Sequence, residues 1–219
     1  MVQNRVVNAV RPKAATLFGE HVQLEPLGPR HLAGLYPAIA NRSVFEFGFG
    51  GGLAALPGSL DEFERWLALD AHPENNRYAV VVIGGPHAGE VVGTSTLGDF
   101  DEHREAAHIG WTAYDPRVWG TAVNPETKLL LLDIAFDAGF GRVKIQTDVL
   151  NERSRQAILR LGATFEGVVR REQPRADGTW RDTAMFSIVI EEWPDVRACL
   201  VTRLERFTGR PILFRTTPG

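Results

Sequence analysis

The residues best suited to chemistry lie in one segment, Tyr114-Asp115-Pro116-Arg117-Val118-Trp119-Gly120-Thr121-Ala122-Val123-Asn124-Pro125. Gly120 and Ala122 carry no bulky side chain, so their backbone N–H groups stay open to a ligand. Asn124 can cap a following helix, and Pro125 fits a first helical turn, where a missing N–H costs nothing. That turn adds unpaired N–H groups and a positive dipole end. Such an arrangement is an anion cradle suited to a pyrophosphate. The order GxxxxGK[ST] is absent, so the segment is not a Walker loop. A tight connection without a ligand fits the same pattern. His108 lies a few residues upstream, and a histidine near its unperturbed pKa is competent to take a proton; a hydrogen bond on the sheet surface is the plainer role for it.

The elements that position these residues follow from hydrophobic periodicity. Alternation predicts a strand at His21–Pro26. A short helix follows at His31–Ala40, and Phe45–Gly58 reads as a long loop rich in Gly and aromatic residues. Ser59 and Glu62 form a capping-box pattern that opens a helix through Leu69. Strands are expected at Tyr78–Ile83, Glu90–Thr96 and Ala106–Tyr114. Strict alternation in the third puts Ala107, Ile109, Trp111 and Ala113 on one face and His108, Gly110, Thr112 and Tyr114 on the other. The helix over Pro125–Ala138 ends at Gly139. A strand over Val143–Val149 and a helix over Glu152–Leu161 follow, the latter stopped by Gly162. A hairpin with arms Phe165–Pro174 and Arg181–Ile190 turns at Asp177-Gly178. The last helix covers Pro194–Phe207. This order predicts an α/β arrangement with a mixed sheet. The expected organisation is a loose leader over residues 1–16, one domain over 17–207 and a C-terminal tail over 208–219.

Composition narrows the function. The chain has 219 residues, 44% hydrophobic and 23% charged, and a formal net charge of −3, which gives no electrostatic footprint for nucleic acid. Its one cysteine, Cys199, cannot form an internal disulfide and reads as a small packed residue. His21, His31, His72, His87 and His103 show no paired ligand spacing and read as surface or local structure, with no metal implied. No stretch is long and uncharged enough to span a membrane. The start carries Arg5, Arg11 and Lys13 but no signal-type apolar run, so a cytoplasmic location is expected.

Arg117-x-x-Gly120-x-Ala122 resembles the acyl-CoA pyrophosphate motif of the GNAT superfamily of N-acyltransferases. His108-Ile-Gly-Trp111, Asn151-Glu-Arg-Ser154 through Ala163, Gly167-Val-Val-Arg170 and Asp177-Gly-Thr-Trp-Arg-Asp182 are similar to blocks of its RimJ/RimL-type branch. The resemblance covers roughly residues 19–204. It implies the GNAT fold, with splayed central parallel strands at His108–Tyr114 and Val143–Val149, and acetyl-CoA or another acyl-CoA as co-substrate. It implies that Trp111 and Thr112 bind the pantetheine arm, and that Arg117, Val118, Trp119, Gly120, Thr121, Ala122 and Asn124 hold the pyrophosphate. Asn151 then orients the pantetheine or thioester end, and Ser154 protonates the departing thiolate. Two positions depart from the usual pattern: Ala122 replaces the commoner Gly, and His108 stands where Glu is usual, with Asp99 and Glu105 as fallback acids. The implied reaction is direct acyl transfer, with acetyl as the default, to a primary amine of a protein N-terminus or a small molecule. A homodimer is compatible; nucleic acid and membrane are not expected partners. The competing readings are an acyl-CoA-binding module with little transferase activity and, more remotely, a nucleotide-binding protein of another fold. Phe45, Phe47, Phe49 and Trp66 could line an acceptor pocket, or seal a core edge or a dimer contact. Arg170, Arg171 and Arg175 could meet an acidic acceptor or form a solvated face.

Overall fold

The computed structural model describes residues 8–69 and 72–216. Leading strands β1 (Leu17–Phe18) and β2 (Val22–Pro26) precede helices α1 (Leu32–Ile39), α2 (Arg42–Phe45) and α3 (Leu60–Leu69). Strands β3 (Asn76–Val82), β4 (Val91–Asp101) and β5 (Ala106–Tyr114) follow, then α4 (Val123–Asp137), β6 (Arg142–Asp148) and α5 (Glu152–Leu159). The hairpin β7 (Thr164–Pro174) and β8 (Trp180–Val189) leads to α6 (Trp193–Glu205). The eight strands form one sheet in the order β1-β2-β3-β4-β5-β6-β8-β7. Pairing is antiparallel throughout except between β5 and β6, which run parallel. This is the mixed α/β sheet expected from the element order.

Two apolar layers cover the sheet. On one face, Leu131, Leu132, Ala135 and Phe136 of α4, Ile158 of α5 and Leu200 of α6 pack on Ile109, Val143 and Ile145. On the other, Leu35, Ile39, Phe45 and Phe63 enclose a smaller cluster that includes Ala113. Burying a Leu, Ile or Phe side chain contributes about 1.5–3 kcal/mol. Three of the aromatic residues from the long loop and α3 therefore serve packing. Phe45, Phe49 and Trp66 meet ring to ring at 5.4–5.8 Å.

The parallel pair is open at one end. β5 and β6 pair at Ala106–Arg142, Ala107–Val143, His108–Lys144 and Ile109–Ile145, and no further. Gly110–Tyr114 and Gln146–Asp148 then diverge. The divergence begins at a bulge. Thr96 pairs with Gly110 but Thr94 pairs with Ala113, so Ser95 alone opposes Trp111 and Thr112. Trp111 adopts a left-handed backbone, φ 46°, which is costly for a bulky residue. The inserted residue also resets the alternation of side chains. Thr112 and Tyr114 turn toward α4, with Ala107 and Ile109, while Ala113 joins the opposite cluster. The expected two-face partition therefore holds only up to Gly110.

Helix α4 begins two residues earlier than its sequence indicates. Ala122 is its N-cap, without a side-chain cap bond, and Asn124 lies inside the first turn. A buried carboxylate ties this helix to β2. Glu126 Oε1 accepts from the amide of Glu20, and Oε2 accepts from those of His21 and Val22, all at 2.8 Å. Glu126→Ala would leave two buried amides without an acceptor, so it should destabilise the fold by about 3 kcal/mol. Urea unfolding should show this as a lower midpoint at unchanged slope.

The loose-leader expectation falls partly on residues 1–7, which lie outside the described residues. Beyond them, Ala9 is buried and the amide of Val10 donates to Ala138 O at 2.9 Å, while Val10, Arg11, Lys13, Ala14 and Ala15 are exposed. Residues 217–219 of the tail also lie outside the description. Cys199 is exposed rather than packed, because α6 turns Trp193, Val196 and Leu200 inward and leaves position 199 off that stripe.

Candidate active site

The loop between β5 and α4 holds the residues expected to form an anion cradle. Asp115 starts it, its Oδ1 accepting the amide of Arg117 at 2.8 Å. Val118 is buried as the anchor. Trp119 Nε1 donates to Tyr114 O at 3.2 Å. Thr121 Oγ1 donates to Val118 O at 2.6 Å and accepts from the amide of Val123 at 3.3 Å. Gly120 sits at φ 77°, a conformation that glycine adopts freely. The amides of Gly120, Ala122 and Asn124 meet no acceptor among the described residues, and Ala122 is fully buried. A buried amide without a partner is costly unless a ligand takes it. Alternate free amides at the start of a fifteen-residue helix suit a pyrophosphate in charge and spacing.

The guanidinium of Arg117 is turned to its neighbour. Its Nε and Nη2 reach both carboxylate oxygens of Asp115, at 2.6–3.1 Å. That pairing raises the pKa of Arg117 and commits its charge within the loop.

Across the open end of the sheet lies the start of α5. Asn151 caps this helix, its Oδ1 accepting from the amide of Ser154 at 2.9 Å. Ser154 is half-buried. Between these residues, Arg153 spans the opening. Its guanidinium lies 3.4 Å from the ring of Trp119 and 5.0 Å from that of Phe47. Phe47 is thus the aromatic residue of the long loop that faces the site. Arg175, a candidate for an acidic acceptor, is instead paired to buried Asp148 at 2.7 Å. Arg171 lies over the Trp180 ring at 4.6 Å.

His108 faces away from α4 and is nearly fully buried. Its Nδ1 lies 2.9 Å from Asp99 Oδ2, and Lys144 Nζ lies 3.7 Å from the same oxygen. His108 Nε2 is buried and has no hydrogen-bond partner among the described residues. The ring of Trp111 is 5.1 Å away. Burial lowers the His108 pKa, and Asp99 opposes this by raising it. The imidazole hydrogen bond lowers that of Asp99. With Nδ1–H donating to a carboxylate, Nε2 is left as the basic nitrogen. Asp99 itself has φ 48° and sits where the β4–β5 register shifts a second time. Glu105, the other fallback acid, lies in the turn before β5. Its carbonyl accepts from the amides of Gly141 and Arg142, at the closed end of the parallel pair.

One buried cation had no sequence signal. Lys128 lies among the core-facing residues of α4, and its Nζ donates to Thr112 Oγ1 at 2.6 Å and Ser95 Oγ at 3.2 Å. Burial brings its pKa down to about 7. It holds the two strands together at the bulge from below. His21 and His31 are buried. His31 meets Glu25 at 2.9 Å and receives the amide of Gly28 at 3.0 Å.

This geometry defines an acyltransferase class: a splayed parallel pair, a bulge at the opening and an amide-lined loop before a helix. Residues 21–164, more than half of the chain, match the acetyltransferase (GNAT) domain family. The chain belongs to this family, and its general activity is acyl-CoA-dependent acyl transfer. Among solved structures, a GCN5-related N-acetyltransferase from Brucella melitensis is 27% identical with TM-score 0.80, over 92% of this chain and 90% of that one. A structure from T. thermophilus, assigned as an acetyltransferase, is 33% identical with TM-score 0.72, over 86% and 96% of the two chains. RimJ from Mycobacterium smegmatis, solved with CoA-disulfide, is 21% identical with TM-score 0.67, over 83% and 88%; that likeness concerns the fold alone. No curated protein matches the chain. Among the described residues, no helix is long and apolar enough to cross a membrane.

Proposed function

We propose that the chain transfers an acyl group, acetyl by default, from acyl-CoA to a primary amine by direct attack. The carrying observation is the opening of β5 and β6 at the Trp111 bulge, directly before the free-amide loop. Beyond Ile109, the edge of β5 that faces β6 has no ladder partner. Trp111 and Thr112 can therefore pair with a pantetheine arm laid along that edge, and the amides of Gly120, Ala122 and Asn124 receive the pyrophosphate. A backbone N–H near Trp111 or Thr112 stabilises the oxyanion as the amine attacks. His108 Nε2 takes the proton released from the amine, directly or through one water, with Asp99 holding the ring. Ser154 Oγ delivers a proton to the thiolate as the carbon–sulfur bond breaks.

The acceptor is assigned to the class that includes protein N-termini and small amines. The RimJ/RimL-type blocks around His108 and Asn151 favour N-termini. Peptides with free and with blocked N-termini, set beside small primary amines, test this through acyl-dependent release of CoA thiol. Turnover on free N-termini and none on blocked ones is the expected pattern; turnover confined to small amines would contradict the N-terminal assignment. Ser154→Ala should lower kcat roughly tenfold or more with CoA affinity retained, since the contact forms mainly in the transition state. Loss of affinity with kcat intact would make Ser154 a positioning residue.

A further inference from the structure

The C-terminal segment after α6 returns to the anion loop. Its course is set by packing. The amide of Gly209 donates to Glu20 Oε1 at 2.9 Å. Ile212 is buried in the larger core. Phe214 stacks on His87, with ring centroids 3.6 Å apart and planes 3° from parallel. The guanidinium of Arg117 lies 4.3 Å from the same Phe214 ring. The next residue is joined to the loop itself, because the amide of Arg215 donates to Arg117 O at 3.0 Å. Arg215 Nη2 then lies 2.7 Å from the position that a Cβ on Gly120 would take.

The loop's own arginine, Arg117, is held by both oxygens of Asp115. Arg215 has no carboxylate within ion-pair distance among the described residues, and its side chain makes no hydrogen bond there. Gly120, the first of the three residues with free amides, lies beside it. A diphosphate on those amides carries two negative charges, and a guanidinium matches phosphate oxygens in pairs.

We infer that Arg215, carried by the docked C-terminal segment, is a phosphate ligand of acyl-CoA that adds a cation beside the one Arg117 shares with Asp115. This rests on the reading of the loop as the CoA pyrophosphate site. Its contact is the pyrophosphate rather than the 3′-phosphate, because Nη2 faces the bare side of Gly120. Ile212 and Phe214 dock the segment without ligand, so the guanidinium is placed before CoA arrives.

Calorimetric titration with CoA and with 3′-dephospho-CoA tests the assignment on the full chain. Arg215→Ala should weaken both ligands equally, by about tenfold or more, the scale of a charge-assisted hydrogen bond. Arg215→Lys should restore part of the loss, and Arg215→Glu should deepen it. Melting temperature without CoA should not move, because Ile212 and Phe214 remain. Unchanged affinity in Arg215→Ala would overturn the inference, as would a fall in ligand-free melting temperature that accounts for the loss. A loss seen with CoA and absent with dephospho-CoA would overturn the pyrophosphate assignment. Gly120→Glu distinguishes the underlying reading: if it spares CoA binding, the loop is not the site; if it abolishes binding while Arg215→Ala is silent, only the role of Arg215 fails.

Discussion

Gly120→Glu abolishes CoA binding, weakening it by roughly 10²-fold or more on the scale of about 1.4 kcal/mol per tenfold. Three effects combine. Gly120 has φ 77°, where any L side chain is strained. The added side chain also runs into the Arg215 guanidinium, 2.7 Å from its Cβ position, next to the free amide of Gly120. Its carboxylate also sits where the phosphate charge belongs and competes for Arg215, whose Nη2 is already next to the Cβ position. Gly120→Ala separates these effects, since it adds strain and bulk without charge; it should cost less. Calorimetric affinity for CoA is the readout, with the far-ultraviolet spectrum as a check on folding. Affinity equal to wild type in Gly120→Glu would remove the loop from the site.

His108→Ala lowers kcat/KM by roughly 10²-fold or more, the usual scale for a lost general base. His108→Glu retains part of the activity, since a carboxylate there can also accept a proton. The pH dependence follows from the burial. Desolvation lowers the His108 pKa, so the imidazole is neutral and able to accept at neutral pH. Activity that depends on it must fall as pH drops through that lowered value. The acceptor amine titrates identically with either enzyme. The ratio of wild-type to His108→Ala kcat/KM therefore isolates the imidazole, and it should fall on acidification. Asp99 raises the His108 pKa. Asp99→Asn should therefore move that fall to lower pH, and it should also slow the reaction by loosening the ring. An alanine variant with wild-type rate and acidic limb would make His108 a bystander.

Much of this is legible in the residues, and the misses have physical causes. The run Ala106–Tyr114 alternates clearly enough to fix both ends of β5. Pro125 and Gly139 bracket α4 to within two residues, because proline suits a first turn and glycine a stop. The loop is readable because Gly120 and Ala122 are small and precede that helix. The bulge at Trp111 is not readable. An inserted residue leaves the local hydrophobic pattern intact and shows only against the partner strand, where Ser95 faces two residues. The side chains of Thr112 and Tyr114 therefore lie on the face opposite to the one that alternation predicts. The same non-local register brings Asp99 of β4 to His108 of β5, so one of the fallback acids is instead the hydrogen-bond partner of the His108 imidazole. Lys128 is hidden by its charge, since lysine is rarely buried without a carboxylate. The docked C-terminal segment has no periodicity. Only the fold shows that Phe214 finds His87 and that Arg215 reaches Gly120.

Family membership leads to the expectation that this chain completes acyl transfer rather than only holding acyl-CoA. Mass spectrometry after incubation with isotopically labelled acetyl-CoA and a panel of primary amines, including free peptide N-termini, tests it most directly. A labelled N-acetyl product and an equal amount of free CoA are expected, both falling by roughly 10²-fold in rate with His108→Ala. Tight acetyl-CoA binding with no labelled product from any amine would contradict it and identify the chain as a binding module.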